Sequence, residues 1–361
     1  LSTQAFLRCE QDHSEKEHTV QYTQLGATGA FVSRICLGTM TFGGANTPPW
    51  DRMGGLGQPD VDRLVGTALE RGVNFVDTAD LYAGGESEQL LGRALGRRRD
   101  DVVLATKLYS RTGPGPNDAG LSRLHVLRAL ENSLRRLGTD HVDLYQIHSF
   151  DPLTPLEETL CALDDVVRQG KVRYIGCSNL AAWQLAKALG VSARHGLASF
   201  VSTQVYYSLV GRDVEQEVLP MVRSENVGML VYSPLAAGFL TGKTGRDGAP
   251  AADGSRRAEG DSIRLDRERG FDIVDVLRVV AERHGGTTAQ IALAWVLAQR
   301  GVTSVIVGAR RPEQMADNLA AVDIELSEED LAELAEVSAV AATYPGYIQE
   351  GGAAQRLPLA G

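Results

Sequence analysis

The 361-residue chain is poor in the features that mark membrane-spanning, disulfide-stapled or nucleic-acid-binding proteins. Its four cysteines, Cys9, Cys36, Cys161 and Cys177, are widely spread and form no CxxC pair. That argues against a disulfide framework and fits a reducing, cytoplasmic compartment. The longest apolar run, residues 291–298, falls far short of the roughly 20 residues that a membrane-spanning helix needs. Basic residues are outnumbered, 36 Lys and Arg against 46 Asp and Glu, for a net charge of −10. A generalised basic face for nucleic acid or an anionic membrane is therefore not expected. No G-x-G-x-x-G fingerprint occurs, which counts against a doubly wound nucleotide-binding sheet. His13, His18, His125, His141, His195 and His284 form no H-x-x-x-H pair and have no cysteine at ligand spacing, so no metal site is expected. Residues 1–19 hold only Ala5-Phe6-Leu7 as an apolar run among many charges. They read as a flexible leader or a cloning remnant, not as a signal peptide.

What is present is the composition of an ordinary globular chain, 43% apolar and 23% charged. Short apolar runs rich in β-branched residues fall at 35–40, 74–78, 102–107, 142–148, 172–178, 201–206, 229–234 and 304–308. These predict eight buried strands. Helical patterns lie between them, with Leu127, Leu130, Leu134 and Leu137 on one face and Leu156, Leu160, Leu163 and Val167 on another. Thr154-Pro155-Leu156-Glu157 predicts a Thr cap with Pro at the first helical position. Ser327-Glu328-Glu329-Asp330, flanked by Leu326 and Leu331, predicts a capping box with a hydrophobic staple. Eight βα units of this size predict an α/β fold of the (β/α)₈ TIM-barrel type, occupying residues 20–340 as one domain with a tail at 341–361. Gly26-Ala27-Thr28-Gly29 predicts a β-hairpin ahead of the barrel that covers its bottom. Excess length is concentrated in long βα loops at 41–59, 111–120 and 241–270, each after a strand.

Barrel enzymes draw their chemistry from the C-terminal ends of several strands. Three predicted ends carry ionisable groups: Asp77 with Tyr82 five residues on, Lys107, and His148. Singly, each has an ordinary structural explanation. Together they suit protonation of a carbonyl oxygen as it becomes an alkoxide. A Tyr hydroxyl near pKa 10 needs a neighbouring cation to release its proton at neutral pH, and Lys107 held by Asp77 is the expected source.

Asp77, Tyr82, Lys107 and His148 resemble the catalytic tetrad of the aldo-keto reductase family, in a bacterial-type branch related to potassium-channel β-subunit-like reductases. Gly38-Thr39-Met40, Asp77-Thr78-Ala79 with Tyr82, and Gly176-Cys177-Ser178-Asn179 occur in the order that the family shows. The resemblance implies Tyr82 as general acid, Lys107 and Asp77 tuning it, and His148 orienting the carbonyl. It also implies NADPH/NADP+, since no side chain supplies hydride. Ser178, Asn179 and Gln204 would hold the carboxamide, and Tyr232 would stack on the nicotinamide. The run Ser233, Pro234, Leu235 and Gly238 through Lys243 resembles the pyrophosphate loop, with Arg256 a further phosphate contact. After the eighth strand, Gly308, Arg310, Arg311, Gln314, Asp317 and Asn318 would serve the adenosine end. Adjacent arginines at a helix N-terminus favour the 2′-phosphate, although Asp317 stands where the family often has Glu. Trp50, Tyr109 and Phe150 are candidate walls for a small-molecule carbonyl substrate. The resemblance leaves a cofactor-binding regulatory subunit as one alternative, though that branch departs from the His of the tetrad. A Schiff-base lyase using Lys107 is another. Oligomeric state is left open.

Overall fold

The structure is a computed structural model and describes residues 20–246 and 265–354. A two-stranded antiparallel hairpin comes first, β1 (Tyr22–Gln24) with β2 (Phe31–Ser33). Each of the eight predicted apolar runs then forms one strand: β3 (Ile35–Gly38), β4 (Phe75–Asp77), β5 (Val103–Leu108), β6 (Val142–Ile147), β7 (Val172–Ser178), β8 (Phe200–Tyr206), β9 (Gly228–Tyr232) and β10 (Val302–Val307). They close into a parallel barrel in the order β10-β3-β4-β5-β6-β7-β8-β9. This is the (β/α)₈ architecture expected from the spacing. Such strands read as continuous apolar runs because both faces are covered, by the barrel interior and by the outer helices.

The helices bury most of the stripes that their periodicity marks, with Leu127 and Val167 only half-buried at the edge of the core. Arg123–Leu137 buries Val126, Ala129, Leu130, Leu134 and Leu137, and Leu156–Arg168 buries Leu156, Leu160, Leu163 and Val166. Ser327 caps its helix as expected, accepting from Asp330 N (3.1 Å) while Ser327 N donates to Asp330 Oδ2 (3.0 Å). The expected Thr154 cap does not form. Pro155 occupies the cap position without a side-chain bond, and Thr154 Oγ1 instead donates to Asp151 Oδ2 (2.7 Å). Asp151 also accepts from Leu121 N and Leu153 N, so this carboxylate outcompetes the helix end for the hydroxyl.

The barrel interior is layered. Cys36, Phe75, Ala105, Leu144, Leu230 and Ile306 pack together at the bottom, and Leu25 from the hairpin plugs them from below. The hairpin turn presses on the strand starts: a Cβ on Gly26 would lie 2.2 Å from Val201 O and 2.9 Å from Gly228 N. Two residues further along β4, β5, β6 and β9, on the same inward face, come Asp77, Lys107, Gln146 and Tyr232. A polar layer thus rests on the apolar one. Gly176 of β7 leaves room for it, since a Cβ there would meet Gln146 Cγ at 3.1 Å and Ser202 Oγ at 2.8 Å.

Of the three long loops, 41–59 and 111–120 are described throughout, and 241–270 only at its two ends. The tail runs to a helix at Gly346–Ala354 and is tied to the segment after β8 by Thr343 N donating to Gln216 Oε1 (2.9 Å) and Gln216 Nε2 donating to Ala341 O (3.1 Å). Among the described residues no helix is long and apolar enough to cross a membrane.

Gly26→Ala combines a left-handed backbone (φ +56) with a blocked Cβ, whereas a Cβ added at Gly138 (φ +66) would meet nothing within 4 Å. Urea melts should show Gly138→Ala losing about 1 to 2 kcal/mol, the left-handed penalty alone. Gly26→Ala should lose about 1 to 3 kcal/mol more from overpacking; equal losses would mean that the hairpin does not seal the barrel floor.

Candidate active site

Adjacent strands in register set the heart of the site: Gly38 of β3 pairs with Asp77 of β4, and Lys107 of β5 with Gln146 of β6. Lys107 is fully buried. Its Nζ donates to Asp77 Oδ2 at 2.5 Å, to Thr78 O at 2.8 Å and to Tyr82 Oη at 3.3 Å. The second oxygen of Asp77 accepts from Gln146 Nε2 and Gln204 Nε2, each at 3.0 Å. A buried ion pair is tolerable only when its remaining donors and acceptors are satisfied, and here both partners are surrounded. Burial alone would lower the Lys107 pKa. The Asp77 carboxylate and the Tyr82 hydroxyl outweigh it and hold Lys107 above its ordinary value, so it is an ammonium at neutral pH.

Tyr82 reaches this group from the loop after β4. Ala83 (φ 51), Gly84 (φ 65) and Gly85 (φ 93) all take left-handed backbone, turning the chain sharply behind the tyrosine. Arg136 packs over Gly85, where a Cβ would lie 2.7 Å from its Cδ, and its Nε donates to the buried Glu88 (2.6 Å). The sequence predicts that Lys107 brings Tyr82 down. Burial proves the larger influence and raises it, Lys107 lowers it, and the net position is above the ordinary value. Tyr82 is therefore a firmly protonated donor. Beside it, Asp80 is buried next to Glu88, and burial with that charge pushes its carboxyl up to about 8, so it is mostly neutral at pH 7.

His148 follows β6 and stands edge-on to Tyr82, with ring centroids 6.1 Å apart at 76°. Burial, reinforced by the Lys107 charge, lowers it to about 3. A neutral imidazole carries one N–H to offer an oxygen placed between His148 and Tyr82. Its backbone is stitched to the next strand end, since Asn179 Nδ2 donates to His148 O (3.0 Å).

The other residues singled out by sequence fall around this mouth. Ser178, Asn179, Gln204 and Tyr232 form one connected set: Ser178 Oγ donates to Gln204 O (2.9 Å), Asn179 Nδ2 to Ser178 Oγ (3.1 Å), and Tyr232 Oη to Asn179 Oδ1 (2.9 Å). Gln204 joins this set through its backbone carbonyl, while its side-chain Nε2 is engaged with Asp77 Oδ1 (3.0 Å). Thr39 is buried, with its N donating to Asp77 O (3.0 Å) and its hydroxyl 2.9 Å from Ser87 Oγ; Gly38 precedes it and Met40 follows half-buried. After β9, Ser233 (φ 50) precedes Pro234, and Leu235 (φ −98) leads into left-handed Ala236 (48), Ala237 (55) and Gly238 (94). Within this tight turn Ala236 N donates to Ser233 O (2.9 Å) and Gly238 N to Leu235 O (3.0 Å). Burial raises the Asp317 pKa, and the nearby Lys243 charge lowers it by less; Asp317 Oδ1 accepts from Gln290 Nε2 (2.8 Å). Gly308 leads into Arg310, whose N donates to Gln314 Oε1 (3.0 Å) at the start of the helix Pro312–Leu319. Pro312 opens that helix as predicted, and Asn318 is buried within it. Arg256 lies outside the described residues.

Two of the candidate walls are visibly paired. Trp50 lies 6.0 Å from the Tyr82 ring, and Phe150 packs edge-on to Trp183 at 6.2 Å. Tyr109 (φ 146) follows β5 and packs on the core. Sequence reasoning passed over Gln146 and Trp183. Gln146 was legible, lying two residues before His148 on the same inward strand face. Trp183, 61% exposed at the start of a helix, sits beside Phe150 only through tertiary structure.

The barrel and the buried Lys107–Asp77 pair with its tyrosine define an oxidoreductase scaffold, and comparison with known proteins names the family. A profile described as the aldo/keto reductase family matches residues 34–339. The chain belongs to that family. It is 41% identical to "Uncharacterized oxidoreductase YrpG" of Bacillus subtilis, over 86% of this chain and 94% of the relative. It is 37% identical to a "Probable voltage-gated potassium channel subunit beta" of Arabidopsis thaliana, over 84% and 92% of the two chains. It is 33% identical to "Versiconal hemiacetal acetate reductase" of Aspergillus parasiticus, over 91% and 99%.

Two consequences of this electrostatic arrangement can be measured. Asp77→Asn leaves the Lys107 ammonium buried without its counter-charge and should cost about 3 to 5 kcal/mol in a denaturant melt; a neutral result would show the pair to be dispensable. His148 titrates near 3 when folded, well below the unfolded value of about 6.5. As pH falls below about 6.5 the unfolded chain takes up a proton there and the folded chain does not, so stability declines on acidification. His148→Gln should make that decline shallower by up to about 1.4 kcal/mol per pH unit, and an unchanged slope would contradict the buried neutral ring.

Proposed function

We propose that this protein is an NADPH-dependent reductase that converts aldehydes or ketones to alcohols, with Tyr82 as the general acid. The observation that carries this reading is the contact of Lys107 Nζ with Tyr82 Oη at 3.3 Å while the same ammonium is locked on Asp77 at 2.5 Å. NADPH supplies the hydride that no side chain can provide. The carbonyl oxygen sits between Tyr82 Oη and the neutral His148 ring, which fixes its direction. As hydride reaches the carbonyl carbon, the C=O pair moves onto oxygen, and an alkoxide is a far stronger base than a phenolate. Tyr82 Oη gives up its proton to that oxygen, and the adjacent Lys107 ammonium stabilises the phenolate left behind.

The cofactor reading is supported by the tight turn at Leu235–Gly238 with Lys243 following it, and by Arg310 and Arg311 at the opening of Pro312–Leu319. Two guanidinium groups there favour a 2′-phosphate and so NADPH over NADH. Ser178, Asn179 and Tyr232, linked to one another at the mouth, suit the carboxamide and ring of a nicotinamide.

A regulatory subunit is the second reading, because two relatives at 37% identity are named as probable potassium channel β subunits. A filled Asp77, Tyr82, Lys107 and His148 set favours turnover over it. The Schiff-base alternative is disfavoured by geometry: a nucleophilic lysine needs a free lone pair, usually through a lowered pKa. Lys107 has a raised pKa and donates to three oxygens.

Fluorescence titration with NADPH and NADH, followed by loss of reduced-nicotinamide absorbance with aromatic aldehydes, dicarbonyls and keto-sugars, tests the reading. Tighter NADPH binding with turnover is expected; binding without turnover across the panel would favour the regulatory module. Tyr82→Phe should lose about 10²- to 10⁴-fold in kcat with cofactor affinity retained, and full activity would remove Tyr82 from its role.

A further inference from the structure

The loop after β3 is a closed ring with one aromatic payload. Its base is pinched by Gly43 N donating to Leu56 O (2.9 Å) and Gly55 N to Gly43 O (2.8 Å). Gly44 N donates to Glu86 Oε2 (2.8 Å), which fastens the ring to the element just behind Tyr82. At its tip the short helix Trp50–Met53 lays Trp50 over Gly44, where a Cβ would lie 2.4 Å from Trp50 Cβ, and brings the indole to 6.0 Å from the Tyr82 ring. Trp50 thereby walls one side of the reacting hydroxyl.

The tip is tied to the neighbouring βα segment. Arg310, which follows β10, donates from Nη2 to Arg52 O at 3.1 Å. The stalk that bears Arg310 is itself fixed, its own N on Gln314 Oε1 (3.0 Å) and the preceding Ala309 O accepting from Thr41 Oγ1 (3.0 Å) at the ring's base. Arg310 is thus the side chain that joins the adenosine end of the mouth to the substrate wall.

We infer that Arg310 is a positioning residue for carbonyl binding: it serves the cofactor's phosphate end and at the same time holds the Arg52 carbonyl, keeping Trp50 over Tyr82. The inference rests on the assignment of Arg310 to the 2′-phosphate made above. A guanidinium can do both because it carries five N–H donors in a rigid plane, and one of them is spent on Arg52. A half-exposed arginine held by one neutral hydrogen bond is a loose tether. A phosphate on its remaining donors freezes the side chain and makes the tether firm, which is preorganisation of the wall by the cofactor. Linkage then requires the carbonyl substrate and the 2′-phosphate to strengthen each other's binding.

The test compares Arg310→Ala, Arg310→Lys and Arg311→Ala. Cofactor affinities are titrated with NADPH and NADH, and KM and kcat are measured for a bulky aromatic aldehyde. Acrylamide quenching of Trp50 is followed in a Trp183→Phe background, where Trp295 is buried. Arg310→Ala should weaken NADPH and raise the aldehyde KM about three- to tenfold even with NADH as donor, as loss of one hydrogen bond predicts. It should also raise Trp50 quenching in the protein without cofactor. Arg310→Lys should recover part of the NADPH affinity but not the KM, since an ammonium lacks the fork. Arg311→Ala should weaken NADPH without moving the KM or the quenching. Weakened NADPH with unchanged KM and unchanged quenching in Arg310→Ala overturns the positioning role and leaves the cofactor assignment standing. Unchanged NADPH affinity overturns the assignment of Arg310 to the 2′-phosphate, and the dual role with it.

Discussion

Lys107 carries a full positive charge into the interior of the barrel, and much of the mouth is arranged around keeping it there. Asp77 supplies the counter-charge, the Thr78 carbonyl and the Tyr82 hydroxyl take its other donors, and Gln146 and Gln204 occupy the far oxygen of Asp77. Residues from four strands, β4, β5, β6 and β8, therefore converge on one ion pair. Such a pair contributes little net stability over an apolar substitute, because desolvation offsets most of the attraction. What it provides is a fixed cation at one hydroxyl, in surroundings dry enough that the neighbouring imidazole is neutral.

The polar layer is possible because an apolar layer lies beneath it. Phe75, Ala105, Leu144 and Leu230 fill the barrel, with Leu25 closing it, and the strand period of two lifts Asp77, Lys107, Gln146 and Tyr232 onto the next level. The loops above are where backbone strain collects. Ala83, Tyr109, Asn179, Ser233, Ala236 and Ala237 all have positive φ without being glycine, and each follows a barrel strand. Conformations of this kind persist only where the surroundings over-determine them. Behind Tyr82 the surroundings are the Arg136–Glu88 contact; at Asn179 they are the bonds to His148, Ser178 and Tyr232.

Aromatic groups frame the polar floor from two sides, Trp50 against Tyr82 and Phe150 with Trp183 across the strand ends β6 and β7. An apolar rim around a small number of placed polar groups is the usual form of a small-molecule site. It also explains the direction of the Tyr82 shift. Burial strengthens the hold of the phenol on its proton more than Lys107 weakens it, so the group stands ready as an acid and is not ionised in advance.

The chain's local patterns were enough to specify the barrel. Eight β-branched runs, the helical stripes between them and the Gly26 turn are each a matter of near neighbours, and each appears where its pattern lies. Asp77, Tyr82, Lys107 and His148 were legible for the same reason, since strand ends can be located from those runs. The failures arise where contacts from outside the local pattern decide. Thr154 looked like a cap until Asp151, three residues back but held by Leu121 and Leu153, took its hydroxyl. Lys107 was expected to set the Tyr82 pKa, but the depth of burial is a property of the packed mouth and appears in no spacing. The Gln146 and Gln204 bonds to one carboxylate oxygen, the Trp183–Phe150 pair and the reach of Arg310 to Arg52 join residues 69, 127, 33 and 258 positions apart. Periodicity reports which face a side chain occupies, but only barrel closure and the paths of the loops decide which distant side chain it meets there.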